Sequence, residues 1–444
     1  MPEYIRHDEG TFSSLTKQQK EAVGLLSIGT FLEYFDLMLY VHMAVLLNEL
    51  FFPKADPHTQ AIYAALAFCS TYVVRPFGAL IFGWIGDNIG RKVIVIITTF
   101  MMACSCIIMA TLPTYNQIGI TATVLMVMCR IIQSLSSSGE IIGVQLYLTE
   151  LTKPPLRYFV VALILSTADL GGMGALLVAS FTTMQDMSWR IAFFLGAIIS
   201  TIGIVARTTL KETPEFADAK RRIKKILDKQ TLKKNFIQKE RVNRKTIIAC
   251  FFMYCGWPLC FYLTYIHCSN ILKTSFGFTA AQVIHQNLLV SIIGTLSSIL
   301  LTFLSYKIYP LKILKIKLFF SIILVIFCPY IFSIINSPIE ILILQISFIL
   351  FWATEFPATP ILFKHFPIFK RFTYPSLLFA LSRACMYIIT SFGIVYTTKY
   401  YDNYGLLIVM IPIIIGYWFG LTHFFKLDKE DKNHLQSSEN MMTF

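Results

Sequence analysis

The chain has 444 residues, of which 56% are hydrophobic and only 14% charged, and it carries a formal net charge of +13 at pH 7. Soluble domains hold about a quarter charged residues, so this composition cannot cover a water-exposed surface and a soluble globular protein is excluded. The basic excess lies in short segments between apolar runs, which also argues against a nucleic-acid-binding surface.

At roughly 20 apolar residues per span, twelve membrane spans are predicted, at 24–51, 60–85, 93–112, 117–148, 158–183, 190–209, 246–270, 282–305, 313–334, 339–363, 374–398 and 404–425. The residues before Gly24 are polar and mixed in charge, with no apolar core and no small-residue cleavage site, so the first span is expected to act as an uncleaved insertion signal. Within it, Glu33 and Asp36 stand three apart on one helical face. Two carboxylates so close repel when both are ionised, which makes the pair a proton acceptor; the alternative is that they only pair with Arg75 or cap neighbouring helices.

Between the second and third spans, residues 83–92 form a short polar turn containing Gly83, Asp87, Gly90 and Arg91. Glycine permits a very short connection, and Asp87 and Arg91 can bond neighbouring helix ends at the membrane surface, as a gating loop would. In the fourth span Arg130, Gln133, Ser137 and Glu140 follow at helical spacing, predicting one narrow polar stripe that lines water or substrate, with helix-to-helix hydrogen bonding as the alternative. Asp169 in the fifth span lies beside Gly171, Gly172 and Gly174, either as a second polar lining group or as a partner for a nearby Arg. Ionisable side chains cost several kcal/mol in a bilayer, so each is expected to face a partner or a water-filled cavity.

A dense charge run, including Lys220, Arg221, Arg222, Lys224 and Lys225, divides the spans six and six. The chain is therefore read as an N-terminal six-helix bundle over 1–209, a cytoplasmic basic linker over 210–245, a C-terminal six-helix bundle over 246–425 and a short polar tail over 426–444. In the second half Tyr254, Trp257 and Tyr265 are candidate aromatic contacts for a substrate cation, with plain packing as the alternative. Glu355 and Arg383 fall inside spans ten and eleven without an assigned role. Of the 38 Lys and Arg residues, all but Lys54, Arg75, Arg130, Arg190, Lys273, Arg383 and Lys399 fall on the side of the N-terminus, so both termini are expected in the cytoplasm of a multi-pass inner-membrane protein. The ten cysteines lie at no framework or metal spacing and read as small buried hydrophobes.

The loop at 83–92 resembles the signature of the major facilitator superfamily. Arg130-Ile-Ile-Gln133 resembles the R-x-x-Q motif of its proton-driven carriers. Glu33-Tyr34-Phe35-Asp36, Arg75-Pro76-Phe77-Gly78, Ser138-Gly139-Glu140 and Arg207 to Phe216 together look like the metabolite:proton symporter family, nearest to its proline/betaine transporters. The likeness spans the N-terminal half and recurs from Phe366-Pro367 to Arg371-Phe372-Thr373. It implies an all-α membrane protein of two six-helix bundles around a central site, and symport of a small organic solute with protons, in which Glu33, Asp36, Arg75, Arg130 and Glu140 are coupling or cavity groups. It departs from the family at Ser134, where a glycine is usual, and at Ser305 to Pro310, where the repeated D-x-x-G-R pattern is missing.

Carboxylates and arginines together suit a zwitterion such as proline or betaine, while a citrate-like or dicarboxylate anion would fit the arginines, and a non-transporting sensor could keep the same fold. No catalytic triad, metal-ligand set or phosphate loop is legible, so no enzymatic activity, metal or cofactor is expected. The partners expected are a small solute, protons and lipid, with no nucleic acid, and nothing in the sequence asks for more than a monomer.

Overall fold

The computed structural model describes residues 15–54, 56–88, 91–137, 140–184, 188–209, 242–367, 371 and 373–442. The linker expected at 210–245 thus lies outside the described residues except for its last four.

Among the described residues all regular structure is helical. Helix α1 (Lys17–Phe51) starts from a capping box in which Thr16 and Gln19 satisfy each other's backbone N–H groups, at 2.9 and 3.2 Å. It is followed by α2 (Pro57–Val73), α3 (Arg75–Asn88) and α4 (Arg91–Thr111). A single turn at Tyr115–Ile118 leads into α5 (Ile120–Ser136), α6 (Glu140–Leu151), α7 (Leu156–Met184) and α8 (Arg190–Thr209). The second set begins with α9 (Arg244–Phe261), which continues through a π-helical turn at Tyr262–His267 into α10 (Cys268–Phe276). Then come α11 (Ala280–Lys307), α12 (Pro310–Ile334), α13 (Pro338–Phe351), α14 (Thr359–Lys364) and α15 (Thr373–Ile388). After a second π-helical turn, Ile389–Gly393, the chain ends in α16 (Ile394–Tyr401) and α17 (Gly405–Met442).

Several expected spans are interrupted. Pro76 lacks a backbone donor, and the second span accordingly breaks at Val74, whose carbonyl accepts from Phe77 and Gly78 at 3.1 and 3.2 Å. In the fourth expected span α5 ends at Ser136, Ser137 stands in a turn and α6 starts at Glu140, with residues 138 and 139 outside the described residues. The tenth span breaks between Phe351 and Thr359, where Pro357 and Pro360 forbid a continuous ladder. The polar segment after residue 425 continues the last helix, α17, which runs on to Met442. Among the described residues, six helical stretches remain long and apolar enough to cross a membrane, with four shorter apolar helices beside them.

Helices before residue 210 pack largely on one another, with α1 against α7 and α4 against α8; those after 241 do the same, with α9 against α15 and α17. The two sets meet chiefly along α7 and α11, and where α15 crosses α2 and α3. Gly171 brings α7 so near α1 that a Cβ there would strike the Phe31 carbonyl. Each set also closes a loop with the same device: Arg157 donates through Nε to the carbonyl five residues earlier, on Thr152, at 2.8 Å, and Arg371 does so to Phe366 at 3.1 Å. Arg371 also reaches Glu150 of the first set at 3.7 Å. At the opposite ends of α1 and α10, Glu49 and Lys273 join the two sets.

Candidate functional site

A central cavity of about 140 Å³ lies between the two helix sets. Drug-sized ligands occupy pockets of about 300–1,000 Å³, so this one suits a small solute. Helix α1 contributes Tyr34, Met38 and His42, and α7 contributes Asp169 and Gly172. Opposite them stand Trp257 and Phe261 of α9, Tyr265 of the π-helical turn, Ser291 and Ser298 of α11, and Lys317 of α12. Thr354 and Glu355 come from the break between α13 and α14, and Phe379, Arg383 and Tyr387 from α15.

The break in the tenth span puts its own backbone and Glu355 into the cavity wall. Irregular backbone is tolerated in a membrane where neighbouring groups satisfy it. Trp352 Nε1 donates to the Gly256 carbonyl at 3.0 Å, Ser321 Oγ to the Phe351 carbonyl at 2.9 Å and the Tyr417 hydroxyl to the Thr354 carbonyl at 2.7 Å. Gly256 is required for this approach, since a Cβ there would overlap the Ala353 carbonyl. Broken helices of this kind form binding sites at the centre of transporters.

Four charged groups line the cavity, two of each sign. Arg383 Nη2 stands 3.8 Å from Glu355 Oε1, and its guanidinium lies over the Phe379 ring at 3.3 Å. Lys317 donates from Nζ to the Thr354 hydroxyl at 3.1 Å. Asp169 sits beside the Ser298 hydroxyl, within Coulomb reach of Lys317, and has no ion pair with an Arg among the described residues. Aromatic faces complete the wall: His42 meets Tyr265 edge-on at 5.4 Å between ring centroids, and Phe261 and Tyr265 are 5.0 Å apart.

Of the residues given a candidate role from sequence, Asp169, Trp257 and Tyr265 line this cavity, as do Glu355 and Arg383, which had none assigned. Tyr254 is buried outside it, edge-on to Phe379. Arg130 is also buried outside the lining, with its guanidinium 4.1 Å above the Tyr40 ring and Nη1 donating to Gln133 Oε1 at 2.9 Å and the Leu37 carbonyl at 3.5 Å. Gln133 in turn donates to Cys106 Sγ at 3.4 Å. Arg130 and Gln133 therefore face α1 and α4 rather than the cavity. Glu33 and Asp36 are buried on either side of the cavity-lining Tyr34. Arg75 donates from Nε to Ser134 Oγ at 3.3 Å and lies over Tyr72. That bond occupies the serine standing where a glycine was expected. Gly90 and the side chains of Gly83, Asp87, Arg91 and Glu140 lie outside the described residues.

Lys317 was missed because it follows Lys312 and Lys315 and reads with them as part of a cytoplasmic loop. Pro310 starts the helix early, which carries Lys317 two turns inside, where only 8% of it is exposed. The pair of prolines at 357 and 360 was the available signal for the break that presents Glu355.

Comparison with known proteins agrees with this architecture. The family model described as Major Facilitator Superfamily matches residues 26–371. The chain is 34% identical over 205 residues to the proline/betaine transporter of Escherichia coli (strain K12), a stretch covering 44% of this chain and 41% of that protein. It is 32% identical, over the same shares, to the glycine betaine/proline/ectoine/pipecolic acid transporter OusA of Dickeya dadantii. The match thus spans about two fifths of the length of these relatives. In structure it resembles a D-xylose-proton symporter, with a TM-score of 0.64 at 14% identity over 91% of this chain and 95% of that one. The proton:xylose symporter XylE bound to 6-bromo-6-deoxy-D-glucose gives 0.68 at 13% identity, over 90% and 94%. At such identities these structures speak for the fold alone.

Proposed function

Because the chain belongs to the Major Facilitator Superfamily, we propose that it is a secondary active transporter carrying a small zwitterion, such as proline or a betaine, together with protons by alternating access. The observation that carries this reading is the charge balance of the cavity. Lys317 and Arg383 can hold a carboxylate, while Asp169 and the faces of Trp257, Phe261 and Tyr265 can hold a cationic nitrogen. A dicarboxylate would meet two carboxylates as well as two cations in the same small space, which disfavours the organic-anion alternative.

In this reading the units at 1–209 and 246–425 rock against one another in the inner membrane, with both termini cytoplasmic, a placement that the distribution of Lys and Arg supports. Glu33 and Asp36, one on each side of Tyr34, are the proposed proton groups, with Arg75 and Arg130 as nearby buried cations and Asp169 as the carboxylate in the cavity itself. Gly83, Asp87, Gly90 and Arg91 form the gating turn and Glu140 a further coupling carboxylate. The test is uptake of labelled proline, glycine betaine, 2-oxoglutarate and citrate into proteoliposomes, with and without an inward proton gradient. Proton-stimulated uptake of either zwitterion is expected; stimulated uptake of the two acids alone would replace this substrate class.

A further inference from the structure

We infer that Arg383 is the carboxylate-recognition residue of the cavity, that Glu355 is its exchangeable counter-ion, and that Lys317 receives Glu355 when substrate displaces it. The inference rests on the zwitterion reading above and adds to it a residue-level division of labour in the second helix set.

Three observations carry it. The ion pair is loose: at 3.8 Å, Arg383 Nη2 and Glu355 Oε1 are beyond the 2.7–2.9 Å or so of a charge-assisted hydrogen bond. Both partners keep a buried polar atom, Arg383 Nη1 and Glu355 Oε2, with no hydrogen-bond partner among the described residues, although each residue is only 7% exposed. Lastly, the guanidinium is pinned over Phe379 at 3.3 Å, so its position is set by packing and not by Glu355.

Buried donors left unmade are costly, and a planar guanidinium recovers that cost best by holding a carboxylate with two parallel bonds. Substrate supplies that carboxylate from the cavity side. Glu355 then loses its cation, and the cavity's second cation is the Lys317 ammonium, already hydrogen-bonded to the adjoining residue Thr354 at 3.1 Å. Glu355 sits on the non-helical stretch between α13 and α14, where no helical ladder opposes its movement.

The sign of one substitution separates this exchange from a plain ligand role. A counter-ion competes with substrate, so Glu355→Gln tightens binding; a residue that binds substrate, or only holds the fold, weakens it on removal. The experiment is equilibrium binding of labelled glycine betaine, proline and succinate to the purified full chain, comparing the unaltered protein with Arg383→Gln and Glu355→Gln, with a detergent melt for each. Arg383→Gln is expected to weaken every ligand that the unaltered protein binds by about tenfold or more, the effect of losing a charge-assisted contact, and Glu355→Gln to tighten it severalfold. Affinity within twofold of the unaltered protein for a folded Arg383→Gln, or weakened binding in Glu355→Gln, overturns the proposal. If Arg383→Gln fails to fold, Glu355→Gln decides alone. Binding of both zwitterions unchanged by Arg383→Gln removes the subsite and leaves the substrate class standing. Binding of succinate alone, lost in Arg383→Gln, does the reverse. No binding of any of the three to the unaltered protein overturns both.

Discussion

Lys273 Nζ lies 2.5 Å from Glu49 Oε1, joining the end of α10 to the end of α1 across the two helix sets. The two side chains are 29% and 51% exposed, and exposed pairs contribute about 1 kcal/mol or less, so this tie joins the two sets at one end while offering little resistance to their separation there. Cysteines at positions 49 and 273, joined by a cleavable bifunctional thiol reagent in a chain whose exposed Cys385 is replaced by Ser, are therefore expected to abolish uptake, and cleavage to restore it. Unchanged uptake in the cross-linked protein would show that this end does not open during the cycle.

Arg130 serves two acceptors and a ring at once, the Gln133 amide, the Leu37 carbonyl and the Tyr40 face. Lysine keeps the charge but loses the planar fork. Arg130→Lys should lower the detergent melting temperature, in line with a loss of about 1–3 kcal/mol for buried donors left unpaired, while the affinity for substrate stays within about twofold. Lost uptake with an unchanged melt would instead assign Arg130 to substrate or proton handling.

If Glu33 or Asp36 carries the transported proton, Glu33→Gln or Asp36→Asn should abolish accumulation driven by a pH gradient while counterflow exchange of substrate persists. Normal gradient-driven uptake in both variants would move the proton site to Glu140 or to Asp169, the carboxylate of α7 that lines the cavity. Asp169→Asn would then show the expected loss.

Gly256 admits the broken segment of the tenth span, and a methyl group there would overlap the Ala353 carbonyl. Gly256→Ala should destabilise the protein by about 1–3 kcal/mol, as overpacking does, and weaken substrate binding by displacing Thr354, to which Lys317 is hydrogen-bonded. A melt and an affinity equal to those of the unaltered chain would show that the cavity wall does not depend on this contact.

The distribution of cations predicts sidedness. Cysteines placed at Lys229 and Lys307 should react only with reagents entering from the cytoplasm, and one at Asp56 only from outside. Labelling of all three from one face would contradict the twelve-span topology.

Hydropathy and charge are local properties of a chain in a bilayer, and they were enough to read from sequence alone an all-helical membrane protein. Glycines, a carboxylate and cations in the turn at 83–92, and the motifs around Glu33 and Arg130, carried the family for the same reason: each is a contiguous pattern. The face to which a side chain turns is not local. The periodicity of Arg130 and Gln133 showed that they share a side of a helix, but packing of α5 against α1 and α4 decided that this side meets Tyr40 and Cys106 instead of the cavity. Lys317 looked like one more loop cation until the helix starting at Pro310 and its neighbours buried it beside Thr354. Glu355 and Arg383, 28 positions apart in the chain, meet only because α13 breaks and α15 packs across the gap, and a contact between distant segments leaves no mark in the pattern of either one.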